Sequence, residues 1–166
     1  RIIPPSGGTD GRSVTGEVLP ARQGSPARLR PGEGLDVRPD GVVVAGIDGV
    51  IGVSEGKVSV SPVLVIKGCV DFSTGNVDFK GDVAVADAVR DGFRVRATGN
   101  IRVGGAVEGA EIVCAGGFTC PRGIASARRA KIAIGGNSDI GYLRNATAIF
   151  RGDLTCRGEL EHSHIT

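Results

Sequence analysis

The two histidines are the first residues whose type and spacing could support chemistry. His162 and His164 lie two positions apart, and on a strand this spacing places both side chains on the same face. Two imidazoles can begin a metal site, which a cysteine or a carboxylate would have to complete. Only Glu161 or Cys156 is placed to complete such a site. We therefore predict no metal site and no cofactor, and we expect both histidines at the surface.

Four cysteines could act as nucleophiles, metal ligands or disulfide partners. Cys69, Cys114, Cys120 and Cys156 form no CxxC pair and show none of the usual zinc spacings. All four lie in stretches that resemble strands. We expect them to be small buried side chains in a reducing cytoplasm.

The aspartates in the middle of the chain are candidates for acid–base or calcium chemistry, as in β-helical pectate lyases. Five of them are scattered and mostly stand near glycine: Asp71, Asp78, Asp82, Asp87 and Asp91. Aspartate favours such corners for backbone reasons alone. A glycosidase would also need two opposed carboxylates and usually an aromatic sugar platform, whereas Tyr142 is the only tyrosine. The pattern disfavours a carbohydrate-active enzyme.

Composition narrows the remaining classes. The chain has 166 residues, of which 28 are glycine and 4% are aromatic, and it has no Met or Trp. Such an interior must be built from Val, Ile, Ala and Leu, which suits short strands joined by tight turns. The net charge of +2 is low for a nucleic-acid-binding protein, and no apolar run approaches the roughly 20 residues of a membrane span. We predict no nucleic-acid partner and no stable membrane insertion.

A repeat begins after Asp71 and indicates the elements that would position these residues. Apolar residues recur every six positions, at Val77, Val83, Val89, Val95, Ile101, Val107 and Val113. Glycine pairs recur at matching places: Gly81-Asp82, Gly99-Asn100, Gly116-Gly117, Gly136-Asn137 and Gly152-Asp153. Because one coil of about 18 residues cannot bury its own apolar face, coils must stack. We predict a β-solenoid over residues 67–166, with Cys120 and Cys156 in one internal column two coils apart.

The segment 1–66 has a different character. Its first sixty residues contain six of the eight prolines, and it is predicted to be loop and extended chain as far as Asp40-Gly41. Short strands are then expected at 42–45, 50–53 and 57–60, separated by the turn pairs Asp48-Gly49 and Glu55-Gly56. We predict a small antiparallel β-rich cap that covers the edge of the first coil.

Several blocks resemble one known family. Three of them are Asp71-Phe72-Ser73-Thr74-Gly75-Asn76-Val77, Gly105-Ala106-Val107-Glu108-Gly109-Ala110 and His162-Ser163-x-Ile165. They are similar to the flagellar assembly protein A family, as is the lead-in from Gly8 to Pro20. The resemblance implies a bacterial, cytoplasmic protein with an N-terminal β region, a right-handed parallel β-helix, protein partners and no enzymatic activity. In the run Tyr142-Leu143-Arg144-Asn145-Ala146, Arg144 replaces the acidic residue that is usual in the family.

Two alternatives stay open from the residues alone. The six-residue period is also typical of left-handed β-helix acyltransferases, although the period breaks after Val113 and no histidine, the usual base of those enzymes, precedes position 162. The second alternative is a bactofilin-like protein that polymerises through its coil ends.

Charge indicates where a partner would bind. Residues 120–157 contain seven basic and two acidic side chains, a net charge of +5, and such a region attracts acidic partners. We predict a candidate partner surface at Arg128, Arg129, Arg144 and Asn145. The full prediction is an all-β, right-handed, single-stranded parallel β-helix with an N-terminal cap, acting as a non-catalytic scaffold that binds a protein.

Overall fold

The chain is built from β-strands. The structure, a computed structural model, describes residues 5–25, 30–126 and 130–166, and within these ranges it contains 23 strands and no helix. The frequent glycines account for this, because each glycine in a helix interior costs about 1 kcal/mol.

Seven short strands form the N-terminal region. They are β1 (Gly11–Arg12), β2 (Val18–Leu19), β3 (Arg30–Pro31), β4 (Leu35–Val37), β5 (Val43–Ala45), β6 (Val50–Ser54) and β7 (Lys57–Ser61). The pairs β1–β2, β4–β5 and β6–β7 are antiparallel, and β3 lies parallel to β7. The predicted strands β5, β6 and β7 are confirmed, and Glu55 and Gly56 form their turn with positive φ values of 51° and 75°. Strands β1 to β4 lie where only loop and extended chain was predicted.

Sixteen strands form the solenoid. They are β8 (Val63–Ile66), β9 (Val77–Phe79), β10 (Asp82–Val85), β11 (Arg94–Ala97), β12 (Ile101–Val103), β13 (Val107–Glu108), β14 (Glu111–Cys114), β15 (Phe118–Cys120), β16 (Ile124–Ala125), β17 (Lys131–Ile134), β18 (Ser138–Ile140), β19 (Leu143–Arg144), β20 (Thr147–Phe150), β21 (Leu154–Cys156), β22 (Leu160–Glu161) and β23 (His164–Ile165). The first of them begins four residues before position 67.

Three parallel sheets run along the solenoid. The first sheet contains β8, β10, β12, β15, β18 and β21, and the third contains β9, β11, β14, β17, β20 and β23. The second contains β13, β16, β19 and β22, and single bridges extend it through Val89 to Val70. Each coil contributes one segment to each sheet, so the six coils form a three-sided stack. The right-handed sense of winding stays a prediction.

The register explains the six-residue period. The first inward residues of successive faces lie six positions apart, and Val77, Val83, Val89, Val95, Ile101 and Val107 are all buried. The longer strands turn a second residue inward, as Val85 does beside Val83. The coil from Val95 to its stacked partner Ile112 is only 17 residues long, so Ile112 is buried instead of Val113. The six-residue period therefore does not match the inward positions at Val113, which is only partly buried. Cys120 and Cys156 both pair with Ile140, which confirms their shared column.

The predicted glycine pairs form the corner between the third and first sheets. Gly116 N donates to Gly99 O at 3.0 Å, and Gly117 N donates to Asn100 Oδ1 at 2.8 Å. A Cβ atom on Gly116 would lie 2.6 Å from Asn100 Oδ1. Glycine is required there because the stacked corners approach closely, and the Asx side chains satisfy backbone N–H groups of the next coil.

The core fills the lumen of the stack. At the first coil, the lumen is partly open. Aliphatic columns fill the interior, with Phe118 the largest fully buried side chain. In the first coil, Leu64, Ile66 and Phe79 are only partly buried. Among the described residues, the hydrogen bonds between the N-terminal region and the first coil are the local ones between Ser61 and Val63. The N-terminal region thus leaves part of the first coil exposed.

Candidate interaction surface

Arg144 lies on the outer face of β19, in the second sheet. Its Nη2 atom is 2.7 Å from Glu159 Oε2, and its Nε atom is 3.1 Å from Glu161 Oε2. The guanidinium carbon lies 5.5 Å from the centroid of the Tyr142 ring. The hydrogen bond that Arg144 donates to Glu159, and then the charge of Glu161, raise the pKa of Arg144. The side chain therefore links the fifth coil to the sixth while its surface remains half exposed.

Asn145 occupies a corner that selects its residue type. It follows β19 with a φ of 49°, and the equivalent corners are formed by Gly109 with 58° and His162 with 46°. Glycine and asparagine tolerate this left-handed conformation best. Asn145 N donates to Glu161 O at 3.0 Å. The corner geometry alone thus accounts for an asparagine here.

Arg128 and Arg129 lie outside the described residues. Their neighbours in the chain are described: Ser126 N donates to Arg144 O at 3.0 Å, and Ala130 O accepts from Thr147 N at 3.4 Å. The fold thus brings Ser126, on one side of the predicted pair, next to Arg144. The surface built from the four residues stays a prediction.

The other basic residues of 120–157 are distributed around the solenoid. Arg122 lies at the corner between the first and second sheets, Lys131 on the outer face of the third sheet, and Arg151 at the corner between the third and first sheets. Arg157 forms an ion pair with Asp139. The positive charge of this segment is therefore not gathered on one face of the described residues.

The carboxylates stabilise corners. Asp82 Oδ1 accepts a hydrogen bond from Asn100 N at 2.7 Å. Asp71 Oδ1 accepts from Ser73 Oγ at 2.6 Å and from Ser73 N at 2.8 Å. The side-chain bond and then the backbone bond from Ser73 lower the pKa of Asp71. Each of these acids binds backbone N–H groups of a turn or of the next coil, as expected of corner aspartates.

The cysteines divide into two pairs. Cys114 and Cys120 are buried, and desolvation raises the pKa of each thiol to about 11. Such thiols are poor nucleophiles near neutral pH. Cys69 and Cys156 are only partly buried, so the expectation of burial is wrong for them. Cys69 also lies outside the strands, at a corner where its Sγ is 3.4 Å from Asp87 Oδ2.

The histidines do not share a strand. His162 lies between β22 and β23, at the left-handed corner, whereas His164 begins β23. Both are exposed, as expected. Within 5–25, 30–126 and 130–166, no group of three or more His, Cys, Asp or Glu side chains could hold a metal ion.

A charged ladder on the second sheet was missed by the sequence reasoning. Arg90 Nη1 lies 3.0 Å and 2.8 Å from the two carboxylate oxygens of Glu108, one coil away. Two coils further along, Arg144 and Glu161 form the next pair of the same column. The sequence did contain a signal for this ladder: Arg90 and Glu108 have opposite charges and are 18 residues, one coil length, apart.

An apolar cleft in the N-terminal region was also missed. It has a volume of about 770 Å³ and is lined mainly by aliphatic side chains of β5, β6 and β7, with Val43, Ile51, Val58 and Val60 among them. Ile51 is 68% exposed. Only the folding of the β4–β5 pair against the β6–β7 sheet creates this cleft.

The comparisons with known proteins agree with this architecture. Residues 62–166 match the flagellar assembly protein A β-solenoid domain, and residues 1–56 match the N-terminal region of the same family. Neither the comparison with curated proteins nor the comparison with solved structures gave a match. The part of the chain that the structure describes has no helix with the length and apolarity of a membrane span. The two matches together cover nearly the whole chain, which therefore belongs to the flagellar assembly protein A family and is a flagellar assembly-related protein.

Proposed function

We propose that this protein acts in flagellar assembly as a non-catalytic scaffold in the bacterial cytoplasm. This role is supported by the structural roles of side chains that could otherwise be reactive. Asp71 and Asp82 bind backbone N–H groups of corners, and Cys114 and Cys120 are buried with raised thiol pKa values. These side chains maintain the coil stack, and the stack presents registered rows of side chains to a protein partner.

The partner surface proposed for this scaffold includes Arg144, Asn145, Arg128 and Arg129. Arg144 keeps about half of its side chain exposed although it is paired with two glutamates. A partner carboxylate could therefore join the existing ion pairs. The matched control is Arg102, which is exposed on the outer face of the first sheet.

The test is complementation in the host bacterium. A deletion strain carrying wild-type protein or R102A should assemble the normal number of flagella, counted by electron microscopy, whereas R144A should assemble fewer at equal protein level. Normal flagella in the deletion strain would contradict the assembly role. Equal counts for R144A and R102A would contradict the proposed surface.

The absence of catalysis is tested separately. We expect coenzyme A to leave the melting temperature of the purified chain unchanged, and we expect no binding to nucleic acid or to lipid vesicles. A ligand-dependent rise in melting temperature with coenzyme A, together with a trimer, would favour the acyltransferase alternative.

End-to-end polymerisation is a second mode of scaffolding. It is favoured by the partly exposed Leu64, Ile66 and Phe79 in the first coil, because an open apolar coil end with unpaired strands invites stacking. Negative-stain electron microscopy at high concentration should then reveal filaments, and a particle of constant length would contradict this mode.

A further inference from the structure

The outer face of the second sheet carries an unusual order of charges. One column contains Arg90, Glu108, Ala125, Arg144 and Glu161, one residue per coil from the second coil to the sixth. Along the solenoid the charges are positive, negative, none, positive and negative. When the column is reversed about Ala125, every charge meets its opposite.

In the neighbouring column on the same face, the side-chain sizes also complement those of the reversed column. Ala106, Gly123 and Tyr142 occupy equivalent places in the third, fourth and fifth coils, because Val107 N donates to Gly123 O and Ile124 N donates to Tyr142 O. A shallow depression of about 550 Å³ is lined by Ala106 and Tyr142, among others. Reversal about Gly123 places the large ring against the small alanine.

We propose that two copies of this chain associate side by side through this face, with their solenoids antiparallel. The twofold axis would run parallel to the strands and pass between the two Ala125 residues. Glu108 would then face Arg144 of the second copy, and Arg90 would face Glu161 of the second copy. Each contact occurs twice, so the interface contains four pairs of opposite charges around an uncharged centre.

A second copy fits this face through charge complementarity. The partner must present opposite charges at the spacing of the coils, about 4.8 Å, with a gap at the centre, and a reversed copy of the same column has this pattern by symmetry. The ion pairs within each chain can persist, because a guanidinium has five N–H donors and can bridge two carboxylates. The contact uses the same patch on both copies and therefore closes as a dimer.

The dimer should be weak and sensitive to salt. The column spans four coil spacings, about 19 Å, so the contact is smaller than the roughly 800 Å² per partner of a standard interface. Exposed charge pairs are screened as ionic strength rises. We expect the dissociation constant to rise about tenfold between 0.05 and 0.5 M NaCl.

Sedimentation equilibrium of the full chain, from about 10 μM to 1 mM, tests the proposal. Wild-type protein should form dimers in low salt. A125R should remain monomeric, because it places two arginines against each other on the axis. The matched control is T119R, which changes an outward position of the first sheet in the same fourth coil and should dimerise like wild type.

A second variant keeps the test decisive if A125R does not fold. In A125C the two new thiols would meet across the axis, so mild oxidation should give a disulfide between positions 125 of the two copies, identified by peptide mapping; T119C should not form one. A wild-type monomer at 1 mM in low salt, dimerisation of folded A125R, or equal cross-linking of both cysteine variants would overturn the proposal. Flagellar complementation tests the scaffold role independently, because a monomer could also serve as a scaffold.

Discussion

Ser138 carries a buried hydroxyl whose removal should stabilise this fold. It is 3% exposed and points into the lumen from β18. Its Oγ has no hydrogen-bond partner among the residues that the structure describes. In the register of the first sheet it stacks between Phe118 and Leu154, at a place where the other coils carry apolar side chains. We predict that Ser138→Ala raises the free energy of unfolding.

The magnitude follows from the cost of a buried unpaired hydroxyl. Leaving such a group without a partner costs about 1–3 kcal/mol, and alanine removes this cost while it creates only a small void beside Phe118. We expect a net gain of about 1 kcal/mol after the lost packing is subtracted. For a chain of this length, 1 kcal/mol raises the melting temperature by about 2–4 °C.

Thermal unfolding followed by circular dichroism and by calorimetry measures this effect. The matched control is Thr155→Ala, which changes an exposed outward position of the same sheet and should shift the melting temperature by less than about 1 °C by the ordinary size of surface effects. A lower melting temperature for Ser138→Ala would refute the reasoning, because it would mean that the hydroxyl makes a favourable interaction inside the lumen.

Three further predictions concern the corners, the core and the thiols. Gly116→Ala should destabilise the fold by about 1–3 kcal/mol, the usual cost of overpacking, because its Cβ would lie 2.8 Å from the backbone of Gly99 and 2.6 Å from Asn100 Oδ1. Gly68→Ala, with nothing within 4 Å of its Cβ, should be tolerated in the same chemical denaturation assay. Phe118→Ala should cost about 3–5 kcal/mol through the cavity it leaves in the lumen, and a smaller loss in urea denaturation would mean that the coils collapse around it. Cys114 and Cys120 should react with a thiol reagent at pH 8 only after unfolding, while the two partly exposed cysteines react in the native protein. Since the folded thiol pKa of about 11 exceeds the usual 9, their contribution to stability is complete below about pH 9 and declines as pH rises toward 11; native labelling of all four thiols would contradict the burial.

Much of the solenoid could be predicted from the sequence, because its inward positions and its corners depend on residues that are close together in the chain. The six-residue period marks the first inward residue of each face, and the glycine pairs mark corners where the stacked backbones are in contact. Both signals depend on backbone geometry that each residue type either permits or resists. The antiparallel pair β6–β7 was predictable for the same reason, since Gly56 accepts the positive φ value of a tight turn.

The short N-terminal strands could not be predicted in this way. Strands β1 to β3 are two residues long, which is too short for any period to show. Their partners, such as β7 for β3, are chosen by the packing of the whole region. The apolar cleft beside Ile51 depends on the same packing.

Amino-acid composition could not predict where the basic residues of the candidate surface lie on the solenoid. The excess of basic residues in 120–157 is a property of the sequence, but the coils place Lys131 on the third sheet and Arg122 and Arg151 at two different corners. Val113 is not an inward residue because its coil has 17 residues, one fewer than three six-residue periods. Sequence determined the repeat, the corners and the apolar lumen, because these depend on each residue and its near neighbours. Only the tertiary structure decided which charges meet, as Arg90 and Glu108 do, because coil lengths of 16 to 20 residues set the register between side chains that are distant in sequence.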